Sequence, residues 1–295
     1  MIPSIDEYLC QLKKELTGSD SATIQDALSD AEEHLRTALN SAIESQPGTS
    51  EADILSLIIE KYGLPADVAT AYRDIEARVQ PAFIRPEHTD RRPILSKFFG
   101  VFADPRAWGA LLYLLFSLCT GILYFTWATT GISMSLGFLI LIIGLPFAGL
   151  FLLSVRVIAL VEGRIVEALL GIRMPRRPLF SRRNIGWWKQ LKYLVTEKRT
   201  WVTMIYMILQ LPLGTIYFTV FITLITLSLS GIAMSILQLG FDIPINIGDA
   251  SYYLAGWMLA LVVVAGFLLA TLTMHLAKYV GRMHGTLAKA LLVRS

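Results

Sequence analysis

The chain's 295 residues are 54% hydrophobic and only 17% charged, with a mean hydropathy of +0.56, which excludes an ordinary soluble globular domain and makes a membrane protein the default class. Charge is divided unevenly: residues 1–77 hold 15 Asp/Glu against 5 Lys/Arg and residues 78–295 hold 8 against 21, so a segment of net −10 precedes one of net +13. Two physically different modules share the chain. Cys10 and Cys119 are isolated and form no metal motif, which fits a reducing compartment at least as well as a disulfide. The first residues lack a basic start followed by an apolar run, so no secretory signal is expected.

The acidic segment reads as four short helices. Ile5, Tyr8, Leu9, Leu12 and Leu16 form one apolar stripe, and Ile24, Leu28, Ala31, Leu35, Leu39 and Ile43 form a second that ends before Pro47-Gly48. Ile54, Leu57, Ile58 and Tyr62 form a third, opened by Ser50 with Asp53 and stopped by Gly63. Pro65 opens the fourth, with Val68, Ala69, Tyr72 and Ile75 expected inward. The stripes can cover one another in a bundle over residues 1–77, marginal alone and steadied by a partner or by self-association. A polar tether with Pro81, Pro86 and Pro93 follows over 78–93.

Residues 94–295 are expected to form a membrane domain. Between Ala107 and Val155 there is no charged residue, and between Thr200 and Ala277 only Asp242 and Asp249 interrupt the neutral run. A crossing helix needs about 20 apolar residues, so four spans are expected near 107–128, 134–156, 201–227 and 253–277. The domain reads as two copies of one unit, 94–171 and 187–293. A shift of 93 pairs Arg106 with Arg199, Trp108 with Trp201, Tyr113 with Tyr206, Gly121 with Gly214 and Tyr124-Phe125-Thr126 with Tyr217-Phe218-Thr219. Later the shift is 122, pairing Arg156 with Lys278, Gly163 with Gly285 and Ala168-Leu169-Leu170 with Ala290-Leu291-Leu292. The extra 29 residues of the second copy fall between its spans, so Leu229–Tyr253 is expected as an outward-facing segment with Asp242, Asn246 and Asp249 as its polar, sensing candidates.

Every Lys and Arg of this half falls in 78–106, 156–199 or 278–294, which puts both termini and the central loop on the cytoplasmic side of the plasma membrane and makes the copies parallel hairpin repeats. Each copy opens with an aromatic stretch, Ile94 to Phe102 or Trp187-Trp188 to Val195, readable as a helix in the headgroup layer or as a loop with stray aromatics. Arg106, Trp108, Trp187, Trp188, Arg199 and Trp201 are the interface candidates. Arg173, Arg176, Arg177, Arg182 and Arg183 form a basic loop suited to anionic lipid headgroups, or a simple topological anchor. Direct nucleic-acid binding is not expected from so short a tethered segment. Charges of −10 and +13 on one side also predict contact between the acidic module and the basic loop.

Two family resemblances arise here. Ile5-Asp6-Glu7-Tyr8-Leu9 with Leu12, then Glu33-His34-Leu35, then Tyr62-Gly63-Leu64-Pro65-Ala66-Asp67-Val68-Ala69-Thr70-Ala71-Tyr72 resemble the HAAS-type helical signalling domain. The Arg106/Trp108 and Arg199/Trp201 pairs with paired hydrophobic hairpins resemble the four-helix "putative sensor" domain of prokaryotic membrane proteins. The resemblance implies signalling at the membrane with the helical module as output, and Glu33, His34, Tyr62, Gly63, Pro65 and Tyr72 as partner-binding candidates. Such modules are associated with PadR-like transcription regulators. With nothing fused after Ser295, output is expected to pass through another protein, a cytoplasmic regulator or a membrane partner, with a homo-oligomer as a further arrangement.

No catalytic, nucleotide or cofactor motif stands out. Asp30, Glu33 and His34 share a helical turn, readable as a metal site or as an acidic solvent face. His275 and His284 flank the last membrane exit, and Pro146 and Pro212 can kink their spans or reflect ordinary usage. The expectation is an all-α, non-enzymatic membrane sensor or regulator without cofactor. The rivals are a small permease or accessory transporter subunit, and a scaffold recruiting proteins to anionic membrane.

Overall fold

Local signals start and stop the helices where chemistry requires. The computed structural model describes residues 2–45, 50–78, 94–138, 144–176, 194–247 and 250–293. Helix α1 (Ile5–Glu15) begins at Ser4, whose Oγ accepts the Glu7 N–H at 3.2 Å. Helix α2 (Ser21–Ser45) follows, then α3 (Glu51–Tyr62), which ends at Gly63 with φ of +115°, a conformation that favours glycine. Pro65 occupies the first turn of α4 (Pro65–Arg78), where its missing N–H costs nothing.

Four further helices are long and apolar enough to cross a membrane: α6 (Pro105–Phe138), α7 (Gly144–Leu170), α8 (Lys198–Phe241) and α9 (Gly256–Leu292). A short α5 (Ile94–Phe99) and a 3-10 turn (Gly100–Ala103) precede α6. Apart from a hairpin of β1 (Ile245–Ile247) and β2 (Ala250–Tyr252), register Asn246 opposite Ser251, the fold is all-α. The segment expected between the last two spans is therefore mostly helix. Its sequence to Phe241 contains no breaker stronger than isolated glycines, so α8 continues until Asp242 turns at φ of +52°.

The chain divides into two compact units. The first comprises residues 1–84, 131–205 and 287–295. Its α1–α4 enclose a core in which Tyr8, Leu12, Leu16, Ala31, Leu35, Ile54, Leu55, Ile59 and Ala69 are buried. Tyr8 donates to the Gly63 carbonyl at 2.8 Å, tying α1 to the end of α3. Burial, helped by Tyr62 and Asp67, pushes the Tyr8 hydroxyl well above its ordinary pKa, so it remains a donor. Three residues expected inward are exposed instead: Ile43 at 42%, Leu57 at 64% and Ile75 at 56%. In α3 the inward stripe runs through Leu55 and Ile59, on the face opposite Leu57.

The second unit comprises residues 85–130 and 206–286, and here α6, α8 and α9 invert the soluble pattern. On α6 Ala107, Ala110, Ser117, Thr120 and Ala128 are buried beside Leu111, Tyr113, Leu114 and Tyr124, whereas Leu112, Phe116, Leu123 and Trp127 face outward. On α8 Gln210, Ser228, Ser235 and Gln238 are buried while Ile216, Val220, Leu227 and Leu239 are exposed. Small and polar residues among the buried positions, with many large apolar side chains turned outward, is an arrangement that a lipid solvent permits. Ser228 Oγ accordingly donates to the Gly266 carbonyl at 2.7 Å.

Helices α6 and α8 cross at two glycines. A Cβ on Gly121 would lie 2.7 Å from the Gln210 carbonyl oxygen, and one on Gly214 would meet the Ser117 carbonyl more closely still. The shift of 93 that pairs the glycines also pairs Ser117 with Gln210, so one contact is made twice with the partners exchanged. Valine at Gly121 or Gly214 is expected to destabilise the protein by about 1–3 kcal/mol through backbone clash. Gly240→Ala, with nothing within 4 Å, should be neutral or stabilising by up to ~1 kcal/mol. Thermal unfolding in detergent checks both.

Candidate functional site

The acidic module presents a second buried face. Thr23, Gln25, Asp26 and Ser29 of α2 are all at most 6% exposed, although no apolar stripe passes through them. Asp26 meets the segment that follows α7, within the first unit. Asp26 Oδ2 lies 3.2 Å from the Arg173 guanidinium, and Asp26 Oδ1 accepts the Arg176 backbone N–H at 2.7 Å. Arg173 Nε also reaches Glu76 of α4 at 3.3 Å, and its Nη1 reaches Glu167 of α7 at 3.2 Å. Thr23 Oγ1 donates to Glu76 at 2.5 Å, Arg176 Nη2 reaches Glu167 at 3.0 Å, and Lys289 pairs with Asp20. One arginine is thus held by three carboxylates from three helices.

The energetic weight of this contact comes from its dryness. Arg173 and Asp26 side chains are 15% and 8% exposed. Removing one member of such a pair strands a buried charge, at a cost of roughly 3–5 kcal/mol, whereas separating the two surfaces into water rehydrates both. The contact is therefore intolerant of mutation yet separable as a unit.

Contacts in the two units also repeat. Trp108 Nε1 donates to the Phe102 carbonyl at 2.8 Å, and Trp201 Nε1 donates to the Val195 carbonyl at the same distance. Asp104, ahead of α6, pairs with Lys278 of α9 at 2.7 Å, and Glu197, ahead of α8, pairs with Arg156 of α7. Asp104 and Glu197 are 93 apart, Arg156 and Lys278 are 122 apart. The start of each repeat is therefore bound to the second long helix of the other.

His284 breaks the symmetry, because the repeat places Glu162 at its equivalent position. His284 is 1% exposed, and its Nε2 lies 2.7 Å from Tyr113 Oη and 3.3 Å from Tyr206 Oη, the paired tyrosines of the two copies. Gln210 Nε2 donates to Tyr113 Oη at 3.5 Å, and the Tyr217 ring packs edge-on to the imidazole with centroids 5.5 Å apart. Both tyrosine hydroxyls thus converge on one ring nitrogen. Both His284 Nδ1 and Gln210 Oε1 are buried without a hydrogen-bond partner among the described residues. In the sequence His284 stands out only as a flank of the last membrane exit.

The other candidates are distributed as follows. Glu33 and His34 are exposed, His34 stacks on Tyr62 at 4.6 Å, and Tyr72 donates to Asp30 at 2.7 Å. Tyr62, Gly63, Pro65 and Tyr72 thus serve packing among α1–α4. The Arg106 backbone N–H donates to Asp104 at 3.0 Å, while the Arg199 guanidinium donates to Gln25 at 3.1 Å and to the Leu292 carbonyl. Trp108 and Trp201 are half exposed. Tyr253 Oη donates to the Asp242 carbonyl at 3.2 Å. Trp187, Trp188, Arg177, Arg182, Arg183, Asp249 and the 79–93 part of the tether lie outside the described residues, as does the Asn246 side chain.

Partial burial acts to raise the pKa of Asp104, but the Lys278 ammonium and the Arg106 N–H outweigh it and hold the carboxyl below its usual range. A depressed carboxyl contributes stability above its unfolded value, about 3.9, and loses it as pH falls through the folded value. The difference in melting temperature between the wild type and Asp104→Asn should be constant above about pH 5 and shrink below about pH 4. Melts from pH 3 to 7 in detergent check this.

Comparison with curated proteins and with solved structures returns no match. The family model described as "Putative sensor" matches residues 113–292, which is more than half of the chain and includes the tyrosines, His284 and the charged segment after α7. With that match and four helices of membrane-crossing length and composition, the chain is a multi-pass membrane protein of the Sensor family.

Proposed function

We propose that the chain is a non-enzymatic membrane sensor that relays a membrane-derived cue through its N-terminal helical module, of HAAS type, to a separate protein such as a PadR-like regulator. The observation that carries the reading is the docking of α2 and α4 on Arg173 and Arg176. A module held by a dry but separable ionic surface has two states, bound and released, and a cue that favours one shifts the other's population. The distribution of Lys and Arg supports placing the module and both termini in the cytoplasm, with anionic lipid facing the basic segment.

A second reading, a small permease or accessory transporter subunit, draws on the buried His284, Tyr113 and Gln210 cluster, since polar ionisable groups inside apolar helices often line transport paths. Proteoliposomes of the purified chain alone should be inert to ion and solute flux; measurable flux would favour this alternative.

In the full chain, Arg173→Glu is expected to release the module, and adding Asp26→Arg should restore docking in part. Partner capture from native membranes should increase with the single variant and fall back with the double. Equal capture by a chain lacking residues 1–77 would remove the module from the relay.

A further inference from the structure

Beneath the docked module lies a cavity of about 70 Å³, lined by Gln25 of α2, Arg156, Ala159, Leu160 and Gly163 of α7, Met174 and Pro175, Glu197 ahead of α8, Arg199, Thr200 and Thr203 of its first turns, and Leu292. This volume holds several waters, the size of a small oxyanion with its attached carbon. We propose that it is a binding site for a phosphate group, carried by an anionic lipid headgroup or free in solution, with Arg199, Arg156 and Thr200 as its donors.

Four observations converge on it. First, the cavity lies at the N-terminal end of the 44-residue α8, where the helix dipole favours negative charge. Second, Thr200 lines it, is 2% exposed, and its Oγ1 has no hydrogen-bond partner among the described residues, which leaves a buried hydroxyl able to donate to a ligand. Third, among the described residues two guanidiniums and one carboxylate line it, for a net charge of +1, and Glu197 is engaged by Arg156. Arg199 meanwhile donates to the neutral Gln25 amide oxygen and to a backbone carbonyl, acceptors that a phosphate outcompetes because a charge-assisted bond is the stronger one.

Fourth, the depth is right for a headgroup. Arg156 is the first charge after the neutral run 107–155, and Arg199 is the last before the neutral run 200–241. Ala159, Leu160, Met174, Pro175 and Leu292 supply apolar wall that suits the carbon portion of an amphiphile. Only the link to signalling rests on the relay reading: a phosphate that takes Arg199 from Gln25 removes one contact of the docked module.

The test uses the full chain in detergent, titrated with dihexanoyl phosphatidylglycerol, dihexanoyl phosphatidylcholine or inorganic phosphate at constant ionic strength, with melting temperature as readout. Phosphatidylglycerol should raise the melting temperature saturably, with half-saturation shifted roughly tenfold higher in Thr200→Val and further in Arg199→Gln. Unliganded Thr200→Val should melt at or above the wild type, because it removes an unsatisfied hydroxyl. The same Thr200-dependent shift with inorganic phosphate identifies the free anion as the source. A shift that Thr200→Val leaves intact, or an equal one with phosphatidylcholine, overturns the site. Amide exchange across α2 separates the two readings: saturable binding without a change there upholds the site and removes its link to the relay, whereas absent binding overturns the site and leaves the docking untouched.

Discussion

The membrane part depends on a close approach of two backbones. Helix α6 and helix α8 cross where Gly121 meets the Gln210 carbonyl and Gly214 meets the Ser117 carbonyl, leaving no space for a side chain at either. In hydrocarbon the lipid tails are as apolar as leucine, so burial of apolar area cannot hold helices together, and short-range packing with internal hydrogen bonds must do so. The crossing fixes α6 against α8, and that brings Tyr113 and Tyr206 to the same imidazole. Small residues at the crossing and polar ones beside it are one solution to one constraint.

Duplication explains why the solution appears twice. Because Asp104 binds Lys278 while Glu197 binds Arg156, each copy is completed by the other, and a single hairpin would leave a carboxylate at its start and a cation on its second helix unpaired. The same logic accounts for the two tryptophans that reach back six residues to a carbonyl. The exception is the Glu162 and His284 position, where equivalent buried sites carry different chemistry. Symmetric contacts hold the framework, and the asymmetric site is where the copies have specialised.

Much of this was legible in the sequence. The repeat could be read from shared Arg, Trp, Tyr and Gly positions, and the four apolar helices from charge-free runs, because both signals are local and periodic. The stripes of α1–α4 were legible in outline, although Ile43, Leu57 and Ile75 are exposed, since periodicity marks a face without saying how wide it is. The docking face was missed because Thr23, Gln25, Asp26 and Ser29 look like a solvated surface; only the opposite charges of the two modules hinted at it. His284 was missed because its burial is created by tyrosines far away in sequence. The equivalence of Asp104 and Glu197 was available at the same shift as the tryptophans, but their chemical difference as Asp and Glu hid it.

The uninterrupted length of α8 has a mechanical meaning. At 1.5 Å per residue its 44 residues extend for ~66 Å, about twice the ~30 Å hydrocarbon core. Its first turn holds Arg199 and Thr200, and its last meets Asp242 and the hairpin, with no loop between them to absorb movement. Pro212 lacks the backbone N–H that would lock its own turn, so bending is concentrated there, beside Gln210 and Gly214 and next to the crossing itself.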